Sequence, residues 1–389
     1  MKFENSEVRL TYRSALVEEL RAVGSKTVGD LELLLPSSLG FCWGVDRALA
    51  MVEQARLDHG GRPMWLISSI IHNPRVNSDL RAQGIGFLRG RHAIAGAWEQ
   101  LGSNDVVIVP AFSATVEDMN YLRERRVTVV DTTCPWVIKP HKRTLKYLKE
   151  GFTTIIHGTV GHEETAATCS LIQSEGGHFV VVYSIEETEV LAGFLEGTVD
   201  ANYLHENLRA GSFSSGIDCK LDLQRIGVIN QTTMLASESR AIGDRLKAAL
   251  IKRDGEPALA ENFRDFDTIC RATQDNQDAA AAVAQLKPDV YLVVGGYDSS
   301  NTKNLARVGR RLGVPAFHIE GPHCIHDALE HRHRESGEIL YESSWLPAIR
   351  PIKVAFTAGA STPDALLGEV IERLVEYVEK RLPQANILS

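Results

Sequence analysis

The stretch Val129-Val130-Asp131-Thr132-Thr133-Cys134-Pro135, "VVDTTCP", ends an apolar run in a cysteine followed by a proline. Phe266-Asp267-Thr268-Ile269-Cys270, "FDTIC", repeats the same Asp-Thr-x-Cys step far downstream, and Thr273 onward reads as a helix. In "LPSSLGFCWGVDRALA", Cys42 stands between a strand-like run and a helix in the same way. The chain therefore carries three units of strand, cysteine turn and helix, with the cysteines 92 and 136 residues apart. Pro135 suits the first turn of a helix, where a missing N–H costs little.

Outward from these units the same rhythm recurs. Short apolar runs are expected as strands at 31–36, 65–70, 105–110, 127–131, 153–157, 179–183, 226–230, 291–295, 316–319 and 353–357. Helical patterns are expected at 45–58, 116–125, 137–149, 164–173, 237–253, 273–286, 302–312 and 363–382. Strands apolar on both faces belong between helix layers, so the alternation predicts an α/β fold with mainly parallel sheets. The expected organisation is an N-terminal extension (1–30), three α/β modules (31–133, 134–269 and 270–358) and a C-terminal segment (359–389). The stretch 193–220 reads as an irregular surface insertion in the middle module.

Composition bounds the function. The 389 residues carry 42 Lys and Arg against 50 Asp and Glu, a net charge of −8. That balance opposes a general nucleic-acid surface, which needs a basic face. No apolar run approaches the roughly 20 residues of a membrane helix. The N-terminus lacks the apolar core of a signal peptide and has early acidic residues, unlike a transit peptide. The expected compartment is the cytoplasm, where cysteines stay reduced.

A lone cysteine is most often a small buried hydrophobe. What lifts Cys42, Cys134 and Cys270 is their shared place at a strand end and a helix start, where α/β proteins build sites and a helix N-terminus favours thiolate. Three modules around a centre would supply three thiolates, one short of the four usual for an iron–sulfur cluster. One coordination position would then stay open for chemistry. Three thiolates do not themselves name the metal, so a zinc site is an alternative. Cys169 lies inside a helical run and Cys219 in the insertion. Cys324, in "GPHCIHD" with His323 and His326, reads as a surface loop.

Other strand ends carry polar groups. His72 and Asn73 follow one strand, and His162 and Glu164 open a helix. Gln231, Thr232 and Thr233 follow another strand. "VVGGYDSSN" and "GASTPD" combine glycines, hydroxyls and a helix start, the form of an anion site. Neither is a nucleotide motif. Together with the two histidines they favour one diphosphate-like ligand. Glu164 has no Lys or Arg three or four residues away, which suits proton transfer.

The segments "GFCWGVDRAL", "IHNPRV", "DTTCPWVIKPH", "HGTVGHEET", "NQTTM", "TICRATQDNQ", "VVGGYDSSN" and "GASTPD" run in order from about Gly40 to Pro363. They resemble the LytB-type family of 4-hydroxy-3-methylbut-2-enyl diphosphate reductases, in its cyanobacterial and plastid branch. The resemblance implies three pseudo-symmetric α/β modules around a central [4Fe–4S] cluster, with Cys42, Cys134 and Cys270 as ligands and the fourth iron open to substrate. It implies a two-electron reductive dehydroxylation to isopentenyl and dimethylallyl diphosphates, the last step of the methylerythritol phosphate isoprenoid pathway. His72, His162, Ser299, Asn301 and Ser361 match the diphosphate ligands, and Ser300 lies between them. Glu164 matches the proton-relay acid and Thr232 the nearby hydroxyl. Ferredoxin or flavodoxin is the implied electron donor. A sensor built on such a cluster would not need Glu164 or two anion sites. A paralogue with the same cluster but a different diphosphate substrate is the alternative that the change at Phe112 keeps open.

Two departures stand out. "VPAFSATVEDM" places Phe112 where many bacterial members carry a histidine, so that contact is absent or supplied otherwise and Phe112 is expected to wall the pocket. Asn276 stands where the family commonly has arginine, which puts a supporting contact in question. The N-terminal extension and the 193–220 insertion fit the longer branch.

Overall fold

The computed structural model describes residues 12–333, 337–348 and 350–381. They fall into two compact units. One is drawn from Ala55–Ser68 and Gly84–Cys270, the other from Met1–Gln54, Ser69–Gln83 and Arg271–Ser389.

The unit containing Cys134 and Cys270 holds two four-stranded sheets. Strands β3 (Met64–Leu66), β4 (Gly86–Phe87), β5 (Val106–Val109) and β6 (Thr128–Asp131) lie in the order β4-β3-β5-β6, all parallel. Strands β7 (Thr153–His157), β8 (Phe179–Val182), β9 (Ile226–Asn230) and β10 (Phe263–Asp265) lie in the order β10-β9-β7-β8, again parallel. Every residue of β5 and of β7 is buried, as strands covered on both faces require. Alternate residues feed opposite faces of the second sheet. Ile155, Val180, Val182 and Val228 pack with Leu191, Ile242 and Leu246, while Ile156, Val181 and Ile229 pack with Tyr147, Phe152 and Ile172.

The other unit holds a five-stranded sheet. Strands β1 (Ser25–Val28), β2 (Leu31–Leu34), β11 (Val290–Val294), β12 (Ala316–Ile319) and β15 (Ile352–Ala358) lie in the order β1-β2-β15-β11-β12. Only β1 is antiparallel. A hairpin of β13 (Leu329–Arg332) and β14 (Ile339–Glu342) stands apart. Helix Ala15–Val23, capped by Ser14, buries Val17 and Leu20 in the same core as Leu367, Ile371 and Leu374 of helix Asp364–Arg381. That last helix was expected to reach Leu382, which lies outside the described residues.

The three sheets share one strand order. The second strand flanks the first on one side, the third flanks it on the other, and the fourth lies beyond the third. In the third sheet the fourth position is filled by β2, from the start of the chain. The fold is α/β with mainly parallel sheets. No helix of the described residues is long and apolar enough to cross a membrane.

Two expectations are corrected. The stretch 193–220 is not irregular throughout: helix Ile185–Leu195 runs into it, helix Ala201–Asn207 lies within it, and helix Cys219–Asp222 begins at its end. Asp200 caps the second helix by accepting the Tyr203 N–H at 2.9 Å, and Leu204, Leu208 and Cys219 are buried in the core of the second sheet. Its charged and glycine-rich spelling hid a short apolar face. Cys324 is not in a surface loop. It lies in the 3-10 turn Pro322–Cys324, fully buried beside Ile319, Ile325 and Leu329.

Candidate active site

Cys134 is the N-cap residue of helix Pro135–Lys149. Cys42 and Cys270 directly precede helices Trp43–Asp58 and Arg271–Ala284. Each follows the fourth strand of its sheet, and each donates its backbone N–H across to the turn after the third strand. The acceptors are Ala111 O for Cys134 (3.0 Å), Thr232 O for Cys270 (3.2 Å) and Ala360 O for Cys42 (3.2 Å). Each acceptor lies two residues past the last residue of its strand: β5, β9 and β15. The cysteine positions are thus equivalent in backbone, not only in spelling.

The Asp-Thr-x-Cys spelling has a structural reason. Asp131 Oδ1 accepts the Thr133 N–H and Asp267 Oδ1 accepts the Ile269 N–H, both at 2.9 Å, folding each turn on its own side chain. Thr132 and Thr268 are buried and donate their hydroxyls to strand-end carbonyls, Val109 O at 2.6 Å and Asn230 O. The aspartate bends the chain and the threonine ties the bend to the third strand. The cysteine is left at the mouth of the helix, partly exposed.

Glu164 is buried in the first turn of helix Glu163–Ser174. Its Oε1 accepts the Thr232 N–H at 2.7 Å and its Oε2 accepts the Thr232 hydroxyl at 2.8 Å. His162 caps this helix, its Nδ1 accepting the Glu164 N–H at 3.2 Å. Phe112 packs edge-on to the His162 ring, with centroids 6.0 Å apart. Gln231 frames the same turn, accepting from Thr159 N (2.9 Å) and Thr165 Oγ1 (3.2 Å) and donating to Thr233 Oγ1 (2.9 Å). One unit therefore connects Cys270, Thr232, Glu164, His162 and Phe112 through successive contacts.

A parallel set lies in the other unit. Ser299 caps helix Ser300–Arg311, accepting from Thr302 N (3.2 Å) and Thr302 Oγ1 (2.9 Å). Ser300 is the first residue of that helix, and Asn301, the second, is buried. Asn301 Oδ1 accepts the Ala360 N–H at 2.9 Å, and the Ala360 carbonyl is the one that takes the Cys42 N–H. Asn301 Nδ2 is buried with no hydrogen-bond partner among the described residues, a donor available to an anion. Ser361 Oγ lies 3.4 Å from Ser299 Oγ and donates to the His72 carbonyl at 3.3 Å. The glycines serve packing here. A Cβ on Gly295 would meet Thr362 Oγ1 at 2.5 Å and Thr302 Oγ1 at 2.6 Å, and Gly359 would also collide with Thr302.

Asn276 has a partner suited to an amide. Ser38 Oγ donates to its Oδ1 at 2.6 Å, so the neutral side chain supports the turn before Cys42 without an arginine. None of the six cysteines forms a disulfide. Cys169 lies inside helix Glu163–Ser174, and burial pushes its thiol up to about 12, so it stays protonated at neutral pH. Burial also raises Cys219, helped by Asp218 and Asp222. Sequence reading places Gln231 at a strand end without a role and does not single out Ala360 or the threonines of the Asp-Thr-x-Cys turns. Ala360 acts through its backbone and leaves no side-chain signal, whereas the paired Asp-Thr spelling could have marked the threonines.

Parallel sheets whose strand ends gather cysteines, hydroxyls, an amide and a carboxylate define an α/β protein built for catalysis at its strand ends. The family model described as LytB protein matches residues 33–375, and the chain belongs to that family. A Gloeobacter violaceus protein named 4-hydroxy-3-methylbut-2-enyl diphosphate reductase is 40% identical over 379 residues, covering 95% of this chain and 89% of its own. A Synechococcus protein (strain CC9311) of the same name is 40% identical over 370 residues, covering 95% and 91%. The Plasmodium falciparum E-1-hydroxy-2-methyl-but-2-enyl-4-diphosphate reductase has a similar fold, with a TM-score of 0.64 and 21% identity over 89% of this chain and 88% of that one.

Proposed function

We propose that this chain is a reductase of (E)-4-hydroxy-3-methylbut-2-enyl diphosphate, giving isopentenyl and dimethylallyl diphosphates. Two electrons and two protons remove the substrate's hydroxyl as water. The observation that carries the reading is the buried Glu164 carboxylate clamped on Thr232, whose carbonyl holds the N–H of Cys270. A carboxylate able to carry a proton is thus joined through one residue, Thr232, to a cysteine turn. The names of relatives that align over nearly the whole chain support the substrate.

The donor set fits an iron–sulfur cluster. Cys42, Cys134 and Cys270 occupy equivalent helix mouths, where the helix dipole favours thiolate. When bound, a [4Fe–4S] cluster held by these three supplies the electrons and a Lewis-acidic iron without a fourth protein ligand. The protein's own groups do the rest. Asn301 Nδ2 and the Ser299, Ser300 and Ser361 hydroxyls offer donors to the diphosphate, with His72 and His162. Fixing that end orients the reacting end. Phe112 steadies His162 instead of adding a donor. Glu164 is placed to take up a proton at its carboxylate and pass it on through the Thr232 hydroxyl. Electrons would come from a ferredoxin or flavodoxin.

The test is anaerobic purification with iron and sulfide analysis, then turnover of the hydroxylated diphosphate with a low-potential reductant. A brown protein that forms both products supports the reading. A colourless zinc protein would overturn the cofactor, and a brown protein inert on this substrate would overturn the substrate.

A further inference from the structure

Cys324, one of the three cysteines outside the equivalent turns, sits in a different cluster. Beyond β12 the chain makes the 3-10 turn Pro322–Cys324 and returns as β13. This places one ligand atom each from His323, Cys324 and Glu330 within 4.8 Å of one another. Cys324 is fully buried, with Sγ 3.9 Å from Glu330 Oε1 and 3.6 Å from the Tyr297 hydroxyl. Tyr341 donates to Glu330 Oε2 at 3.3 Å.

A buried cysteine is ordinarily a small hydrophobe. This one meets a carboxylate and a phenol as well as the hydrocarbon of Ile325 and Leu329, and no cationic side chain among the described residues bonds to or pairs with Glu330. A dication would supply the missing charge. We propose that His323, Cys324 and Glu330 bind a divalent ion of the zinc class, pinning the 3-10 turn to β13. The donor chemistry selects the ion: imidazole nitrogen, thiolate sulfur and carboxylate oxygen together match zinc and disfavour magnesium or calcium. Tetrahedral bonds of about 2.0–2.3 Å separate ligand atoms by about 3.3–3.8 Å. The cluster therefore needs to contract by at most about 1 Å, which the exposed His323 ring can supply. Coordination displaces the thiol proton. Tyr341 plays the outer partner that orients the ligating carboxylate. Tyr297 stands two residues before Ser299, so an ordered 3-10 turn also buttresses the turn carrying the proposed diphosphate ligands.

The test uses the full chain with its own metals in place. Zinc is titrated against a chromophoric chelator into the parent, Cys324→Ala and Glu330→Gln, and cobalt(II) serves as the spectroscopic probe. The parent should take up one more zinc per chain than Cys324→Ala, and Glu330→Gln should bind that ion at least about tenfold more weakly. Cobalt should show a thiolate charge-transfer band in the parent that Cys324→Ala lacks. Equal zinc uptake by parent and Cys324→Ala, or no difference in the cobalt band, overturns the site. Should Cys324→Ala fail to fold, His323→Ala decides instead: unchanged zinc stoichiometry and affinity in that variant overturns the proposal equally. Zinc bound by Cys42, Cys134 or Cys270 would be common to all variants and cancels in the comparison.

Discussion

Glu164→Gln separates the carboxylate's chemical role from its structural one. Both Glu164 oxygens are acceptors, one for the Thr232 N–H at 2.7 Å and one for its hydroxyl at 2.8 Å. A glutamine keeps the first bond through its carbonyl oxygen. Its NH₂ then faces the Thr232 hydroxyl, which rotates from donor to acceptor. Both bonds survive in neutral form, so the loss is the difference between charge-assisted and neutral hydrogen bonds, about 1 kcal/mol in all. The Cys270 turn, held by the Thr232 carbonyl, stays in place. What disappears is the exchangeable proton, and general acid catalysis contributes about 10²–10⁴-fold. The variant should melt within a few degrees of the parent, keep the parent's visible spectrum, and lose at least about 100-fold in kcat. KM should change little, because Glu164 is not among the proposed diphosphate ligands. The assay is anaerobic turnover with a chemical reductant, scored by both products. A variant with intact spectrum and kcat within about threefold of the parent would refute the proton role.

Two further outcomes follow from the same geometry. Asn301→Asp retains the acceptor for the Ala360 N–H but turns the buried, unpartnered Nδ2 into a carboxylate oxygen. Facing a diphosphate, it should raise KM at least about tenfold; an unchanged KM removes Asn301 from the anion site. His141 has a buried Nε2 and is held down at about 4 by burial, with Asp131 opposing weakly. Its folded pKa lies below its unfolded value of 6.5, so the unfolded chain binds the extra proton and stability falls as pH drops from about 6.5 toward 4. The difference corresponds to about 3 kcal/mol. Denaturant melts across that window should show the loss, and His141→Gln should reduce it; identical pH slopes in both proteins would contradict the assignment.

The parallel sheets were legible because their strands are continuous apolar runs. All ten expected strands overlap observed ones, and β5, β7 and β11 are buried throughout. Helices bounded by clear caps were equally plain. Helix Ile185–Leu195 was missed because its acidic first turn, Glu186 and Glu187, masks the buried face of Leu191, Ala192 and Leu195. Helix Ala15–Val23 was missed for a different reason: its core contacts come from the far end of the chain. In the site, residues that act through side chains, such as Glu164 and Asn301, could be singled out. The backbone contacts of Ala111, Thr232 and Ala360 could not, because any residue supplies a carbonyl. The membership of β2 in the C-terminal sheet was hidden too, since no local pattern tells a strand which partner it takes.

That shared strand order explains why two dissimilar residues face the same task. Glu164 is the second residue of the helix that follows β7, and Asn301 is the second residue of the helix that follows β11. Each accepts the N–H of the residue two past its third strand, Thr232 or Ala360, and that residue's carbonyl takes the N–H of a cysteine, Cys270 or Cys42. One backbone frame therefore presents a polar side chain beside a cysteine turn in both sheets. The chemistry diverges at the side chain alone. Asparagine spends its oxygen on the frame and leaves an N–H that can only donate, which suits an anion. Glutamate is one methylene longer and offers a second oxygen, which reaches the Thr232 hydroxyl and can carry a proton. A single repeated position thus offers the proposed anion-holding arm in one sheet and the proposed proton-carrying arm in the other, without any change in the fold that places them.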